Sequence, residues 1–214
     1  MSIIDWPFDK WLDNVALAAL STRETVQASY DIARLAIERG VPGDFVECGV
    51  FGGAQCAAMA RAIMDIYRAV STSRRVHLFD SFDGIPAPGE HDVDIEPRMH
   101  AAFADQTRCT LEDCKNHMRE WGIPDELLVW HPGPFEKTAP LMKLAMGLGG
   151  ESIAILRLDG DLYESTKVCL EHLYPLLSPG GWCIIDDMGL GGARKAVDEY
   201  MRNASRPTYW QKAK

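Results

Sequence analysis

The chain has 214 residues, 47% hydrophobic and 25% charged, with a formal net charge of −9. That length suffices for one α/β domain with a sizeable core, and no Lys/Arg cluster is long enough to track a phosphate backbone, which argues against a nucleic-acid substrate. No apolar stretch approaches the length of a membrane span, and the N-terminus carries acids where a signal peptide would carry bases, so a cytoplasmic protein is expected.

The predicted elements follow in chain order. Ser21-Thr22-Arg23-Glu24 has the form of a capping box, with Ser21 as the capping hydroxyl and Glu24 three residues on. It opens a helix with Val26, Tyr30, Ala33 and Ile37 on one face, closed by Gly40. With an earlier helix over about 9–20 it forms an N-terminal helical layer, 1–40, on a body spanning 41–214. The body begins with strand 44–50, a turn of Gly49, Gly52 and Gly53, helix 54–70 and strand 75–80. Residues 81–98, rich in proline, glycine and acids, read as a long loop of the kind that often forms a lid. Helix 110–121, strand 127–131 and helix 135–146, broken or kinked at Pro140, come next. Strand 152–158, helix 163–177, strand 182–185, helix 192–201 and a short strand over 207–211 complete the chain. This alternation predicts a single doubly wound, Rossmann-like parallel sheet with helices on both faces. The six cysteines, Cys48, Cys56, Cys109, Cys114, Cys169 and Cys183, include no CxxC pair and read as reduced structural thiols.

Two of the strands end in acids. Ser152–Leu158 stops at Asp159, with Asp161 two residues on, and Trp182–Ile185, introduced by Pro179-Gly180-Gly181, stops at Asp186-Asp187. One helix-length segment lies between them, so both carboxyl ends fall on the same sheet edge, where open α/β sheets bind ligands. Carboxylates crowded together there need a cation or shared protons. Asp159, Asp186 and Asp187 could give Mg²⁺ three oxygen ligands and leave positions for a substrate diol. Asp161 also fits a cap of the following helix. Zinc is disfavoured, because no His or Cys has ligand spacing with these acids.

The first glycine turn has the spacing G-x-x-G-G, neither a dinucleotide fingerprint nor a P-loop. Taken alone, it could be a tight turn and no more. Asp80, at the end of the second strand, could accept both ribose hydroxyls of a nucleoside. Glu47, directly before the turn, would repel a pyrophosphate but suit a cationic tail; the alternative is an ion-paired acid. A nucleoside with a cationic tail describes S-adenosylmethionine.

The motifs VPGDFVECGV (41–50), FDSFDGIP (79–86) and LRLDGDLYEST (156–166) carry a resemblance. Leu173-Tyr174-Pro175, the stretch from Pro179-Gly180-Gly181 to Asp186-Asp187, and Gly192–Tyr200 extend it over roughly 21–200. The sequence resembles the macrocin O-methyltransferase family: class I, S-adenosylmethionine- and metal-dependent enzymes that methylate sugar hydroxyls of antibiotics. The resemblance implies a class I methyltransferase sheet. Glu47, Cys48, Gly49, Val50 and Phe51 would line the methionine part of the cofactor. Asp80, Ser81, Phe82 and Gly84 would hold the ribose and adenine side, and Gly133 would form the adenine-side turn. Asp159, Asp186 and Asp187 match the family's magnesium ligands, and Asp159 its general base. Three departures stand out. Phe51-Gly52 replaces the family's usual Trp-Arg, the 81–98 loop has its own composition, and the stretch before Tyr209-Trp210-Gln211-Lys212 is short.

The expected reaction is in-line methyl transfer to a sugar hydroxyl, with Asp159 taking the proton and Asp161 as the fallback base. A catechol-type O-methyltransferase acting on an aromatic diol is the alternative, and a metal-dependent hydrolase or phosphotransferase a more distant one. His131 and His172 read as structural. The expected partner is a small sugar or glycoside, and the apolar N-terminal helices point to a homodimer.

Overall fold

Among the described residues, five parallel strands form one sheet in the order β3-β2-β1-β4-β5. They are β1 Asp44–Cys48, β2 Val76–Asp80, β3 Leu128–Pro132, β4 Ile153–Leu158 and β5 Leu177–Ile185. The computed structural model describes residues 5–67, 72–96, 100, 103–104 and 106–203, with only the helix backbone at 147–148. The strand expected over 207–211 lies outside the described residues.

The chain winds outward from β1 through β2 to β3, then returns across the sheet to β4 and β5. The reversal leaves a crevice at the carboxyl ends of β1 and β4, where doubly wound sheets bind ligands. Each strand alternates between two apolar layers. Phe45, Val76 and Leu78 face one layer with four of the helices, α1 Phe8–Ala16, α2 Arg23–Glu38, α3 Ala54–Tyr67 and α4 Leu111–Glu120. Val46, Cys48, Phe79 and Leu156 face the other, with α5 Phe135–Gly149, α6 Tyr163–Leu173 and α7 Gly191–Asn203.

The N-terminal helices are fixed by specific bonds as well as apolar packing. Fully buried Trp11 donates its indole N–H to the Trp121 carbonyl at 3.0 Å, tying α1 to the end of α4. Tyr30 donates to Asp65 at 2.9 Å, tying α2 to α3.

Four local expectations are corrected. The α2 cap is Thr22, whose Oγ1 accepts from the Thr25 amide, so the helix starts one residue later than its letters suggest and the Ser21–Glu24 box does not form. Ser21 instead accepts from Gln55 Nε2 at 2.7 Å. Helix α5 runs through Pro140 without the expected break and closes on Gly150 in the left-handed region. The helix after Asp161 ends at Leu173 and continues as a 3₁₀ turn, Tyr174–Leu176, because Pro175 has no amide to donate. Pro179-Gly180-Gly181 is not a turn before β5 but lies inside it. The register jumps from Ile153↔Leu177 to Ile155↔Trp182, and the extra residues are taken up as an irregularity in β5, outermost on its side of the described strands.

Candidate active site

The crevice is a cavity of about 760 Å³, within the range of small-molecule sites. Its walls come from the β1 turn, the β2 end, the loop after β4 and the loop after β5. Ala18–Ser21 between α1 and α2, Phe103 and the Pro134–Glu136 segment add to it.

On the β1 side, Gly49 has φ +91°, and a Cβ there would collide with the Asp159 carbonyl oxygen. Only glycine lets the turn lie against the loop after β4. Asp80 holds the turn in place. Its Oδ2 accepts from the amides of Val50 (2.7 Å) and Phe51 (3.0 Å), and its Oδ1 from Phe82 (2.8 Å). A carboxylate accepts about four hydrogen bonds, so Asp80 keeps capacity for a ligand hydroxyl after organising the loop. Phe51, Phe82 and Asp161 are the non-glycine residues with positive φ among those described, at 48°, 55° and 59°. Phe51 and Asp161 line the cavity and Phe82 adjoins lining Ser81 and Asp83, the clustering of backbone strain expected at functional sites.

On the β4–β5 side, Asp159, Asp186 and Asp187 each offer a carboxylate oxygen within 4.8 Å of the other two. Part of the relief expected from a bound cation comes from the protein itself. Arg157, 1% exposed near the carboxyl end of β4, pairs with Glu47 (2.9 Å), Asp159 (2.7 Å) and Asp186 (3.2 Å). It stands directly beside Glu47 in the β1–β4 register. Glu47 is therefore an ion-paired acid, and it also accepts from the Cys56 thiol at 2.8 Å. Arg157 escaped the sequence reading, although a charge inside an apolar central strand is a signal that partners await it.

The acids outnumber the guanidinium. Burial raises the Asp159 pKa to about 8 against the pull of Arg157, with Asp186 and Asp187 adding to the rise. Burial and the neighbouring Asp187 raise Asp161 to about 7. Asp187 is raised chiefly by burial, as is Glu47. Burial works against the Arg157 charge, but the three carboxylates outweigh it and raise its pKa. Such a cluster favours a further cation or retained protons.

The donor set fits a hard divalent ion. Arg157 occupies Asp159 Oδ2 and Asp186 Oδ1, and the Asp161 amide occupies Asp187 Oδ2 at 2.8 Å. Asp159 Oδ1, Asp186 Oδ2 and Asp187 Oδ1 carry none of these bonds.

Of the expected site residues, Glu47, Gly49, Val50, Phe51, Asp80, Ser81, Gly84, Asp159, Asp186 and Asp187 line this one cavity. Cys48, Phe82 and Gly133 do not. Cys48 points to the opposite sheet face among the α5–α7 core, since alternation turns it away from Glu47. Phe82 is buried beside Trp130, with ring centroids 6.0 Å apart. Gly133 spends its amide on the Asp80 carbonyl, and Pro134 and Phe135 line the cavity instead. Asp161 does not cap α6: the position before that helix is Leu162, which has no side-chain cap to give. His131 stacks on Phe79 at 3.9 Å, and the described cysteines are all unpaired thiols.

Fold and site together define a class I methyltransferase architecture, with a nucleoside-sized crevice beside an oxygen-ligand cluster. Residues 5–208 match the family model for macrocin O-methyltransferase. The chain is 37% identical over 198 residues to a tetracenomycin rhamnosyl 4'-O-methyltransferase of Streptomyces olivaceus, covering 92% of this chain and 69% of the relative. It is 37% identical over 168 residues to mycinamicin III 3''-O-methyltransferase of Micromonospora griseorubida, covering 77% and 63%. The solved structure of the O-methyltransferase NovP superposes with a TM-score of 0.75 at 32% identity, covering 87% of this chain and 74% of that one. The chain belongs to the macrocin O-methyltransferase family, and its class is that of S-adenosylmethionine-dependent O-methyltransferases.

Proposed function

We propose that the protein transfers a methyl group from S-adenosylmethionine to a hydroxyl of a sugar on a glycosylated natural product, assisted by Mg²⁺ or a similar divalent cation. One observation carries the reading: the glycine turn of β1 and the three aspartates of β4 and β5 line one cavity at the switch point of the sheet. The relatives named for sugar methylation favour a sugar over an aromatic diol as acceptor, and the family match stands against a hydrolase or phosphotransferase.

S-adenosylmethionine supplies the methyl group as a sulfonium. A divalent cation held by Asp159, Asp186 and Asp187 would lower the pKa of an acceptor hydroxyl. The protein's own share is positioning and proton handling. Asp80 with Ser81 and Gly84 would hold the ribose side, and Gly49–Phe51 the methionine side. Glu47, already paired with Arg157, is not a free acceptor for that end. Asp159 is the proposed base. Asp161, which lines the same cavity with its pKa near neutral, suits a group that takes a proton at physiological pH.

Residues 1–40 are on this reading a helical layer of the same domain as 41–214. Among the described residues no helix is long and apolar enough to cross a membrane. The reading places the enzyme in the cytoplasm. A homodimer through the α1–α2 region, where Leu17 and Leu20 are exposed, would register as a doubled mass in sedimentation equilibrium.

The deciding experiment is calorimetric titration with S-adenosylhomocysteine, with and without Mg²⁺, followed by turnover of Asp186→Asn and Asp187→Asn. Binding of the cofactor product, with turnover lost at least a hundredfold in both variants, is expected. Full turnover in EDTA would overturn the metal role, and failure to bind S-adenosylhomocysteine the cofactor.

A further inference from the structure

Helices α6 and α7 both begin immediately beyond the metal-side acids: Tyr163 is four residues after Asp159, and Gly191 four after Asp187. The first turn of a helix presents amides with no partner inside the helix, and α6 has no local side-chain cap, its capping position being Leu162. The partner arrives from 71 residues away. Asp92, 3% exposed in the 81–96 loop, accepts the Tyr163 amide on Oδ1 at 2.8 Å and the Gly89 amide on Oδ2 at 2.9 Å. Two residues on, Asp94 Oδ2 accepts the Gly191 amide at 2.6 Å.

Other contacts hold the same strap. Gly192 packs so closely on Asp92 that a Cβ would overlap Asp92 Oδ1, so one carboxylate touches the starts of both helices. Lys195 Nζ donates to His91 Nδ1 at 2.9 Å, and the His91 ring meets Tyr163 edge-on at 4.3 Å. Tyr163 in turn donates to Glu199 at 2.7 Å, joining α6 to α7. Between the acids themselves, the Asp161 amide donates to Asp187 and Arg157 bridges Asp159 and Asp186.

We propose that Asp92, with Asp94, is a positioning clamp for the metal-binding carboxylates: by capping α6 and α7 from a single strap it fixes the spacing of Asp159 against Asp186 and Asp187 without touching the ion. The proposal rests on the reading of those aspartates as metal ligands. A cation with strict octahedral demands is sensitive to such spacing, and outer residues that orient ligands commonly change metal affinity by 10–100-fold.

The test uses the full chain and Mn²⁺ as the probe. Binding of Mn²⁺ and of S-adenosylhomocysteine is measured for the unsubstituted protein, Asp92→Ala, Asp94→Ala and Asp92→Asn, with hydrogen exchange at Tyr163 and Gly191 in the metal-free proteins. Asp92→Ala is expected to weaken Mn²⁺ at least tenfold and speed Tyr163 exchange, with S-adenosylhomocysteine affinity within twofold. Asp92→Asn keeps an acceptor for Tyr163 and should recover most of the Mn²⁺ affinity. Asp94, exposed and therefore safer to replace, should give a loss of several-fold on truncation and faster exchange at Gly191. Unchanged Mn²⁺ affinity in folded Asp92→Ala overturns the clamp, as does equal weakening in Asp92→Asn, which would mark a charge effect. Parallel loss of S-adenosylhomocysteine affinity overturns it too. If Asp92→Ala does not fold, unchanged Mn²⁺ affinity in Asp94→Ala does the same. Absence of Mn²⁺ binding in the unsubstituted protein would remove the metal reading itself, and the clamp with it.

Discussion

Arg157 shows how much one buried residue organises. Its three carboxylate partners come from β1, from the end of β4 and from the loop after β5. Replacing it with methionine would leave buried Glu47 without its cation, and loss of one partner of a buried pair costs about 3–5 kcal/mol. Arg157→Met should therefore lower the urea midpoint sharply, and the double variant Glu47→Gln/Arg157→Met should recover the part of the loss that belongs to the buried Glu47 charge, leaving the part that belongs to Asp159 and Asp186. The raised pKa of Asp159 gives a second outcome. Metal ligands must be deprotonated, and Asp159 holds its proton up to about pH 8 in the metal-free protein. Mg²⁺ affinity should rise as pH is increased from 6 to 9, which calorimetry at several pH values would register. Arg157, a lone cation in an apolar strand, was missed, while the acids at the strand ends were legible from sequence. Their pairing was not, because it depends on the β1–β4 register, which sets Glu47 beside Arg157.

Capping and ring contacts govern the elements. Helix α4 starts with a complete capping box, Thr110 accepting from the Asp113 amide and Asp113 reaching back to the Thr110 amide. Thr110→Ala should cost about 1 kcal/mol, measured by chemical denaturation. Between β2 and β3, His77 Nε2 lies 3.0 Å from Asp44 Oδ2 and His77 Nδ1 lies 2.9 Å from His131 Nε2. A carboxylate can only accept, so a neutral His77 carries its proton on Nε2 and accepts from His131. Burial, with His77 adding to it, lowers the His131 pKa from 6.5 to about 4. The unfolded chain thus binds this proton between those values while the folded chain does not. The contribution of His131 is intact above pH 6.5 and is lost as pH falls toward 4. His131→Phe should flatten the decline of the urea midpoint between pH 7 and 5. Helical and strand periods were readable from apolar spacing, whereas the start of α2 slipped by one residue. Ser21 and Thr22 are chemically equivalent caps, and the choice fell to Thr22 because Ser21 is taken by Gln55 on α3.

Across the whole molecule, the strand order places two separately encoded half-sites against each other. A ligand that binds only the folded state stabilises it by about 2.7 kcal/mol at a hundredfold excess over its Kd. Mg²⁺ and S-adenosylhomocysteine should therefore each raise the unfolding temperature, and EDTA should reverse the Mg²⁺ increment, followed by differential scanning calorimetry. The sequence by itself determined the alternating α/β architecture, the sheet edge that carries the acids and the glycine turn that faces them, because these follow from periodicity, chain direction and turn chemistry, all local in the chain. Only the tertiary structure decided that Glu47 is neutralised from within, that Cys48, Phe82 and Gly133 turn away from the cavity, and that Asp92 caps a helix 71 residues further on. Those outcomes hang on which strands are neighbours and how closely two loops approach, and a polar group buried by folding takes whichever partner that approach brings within reach.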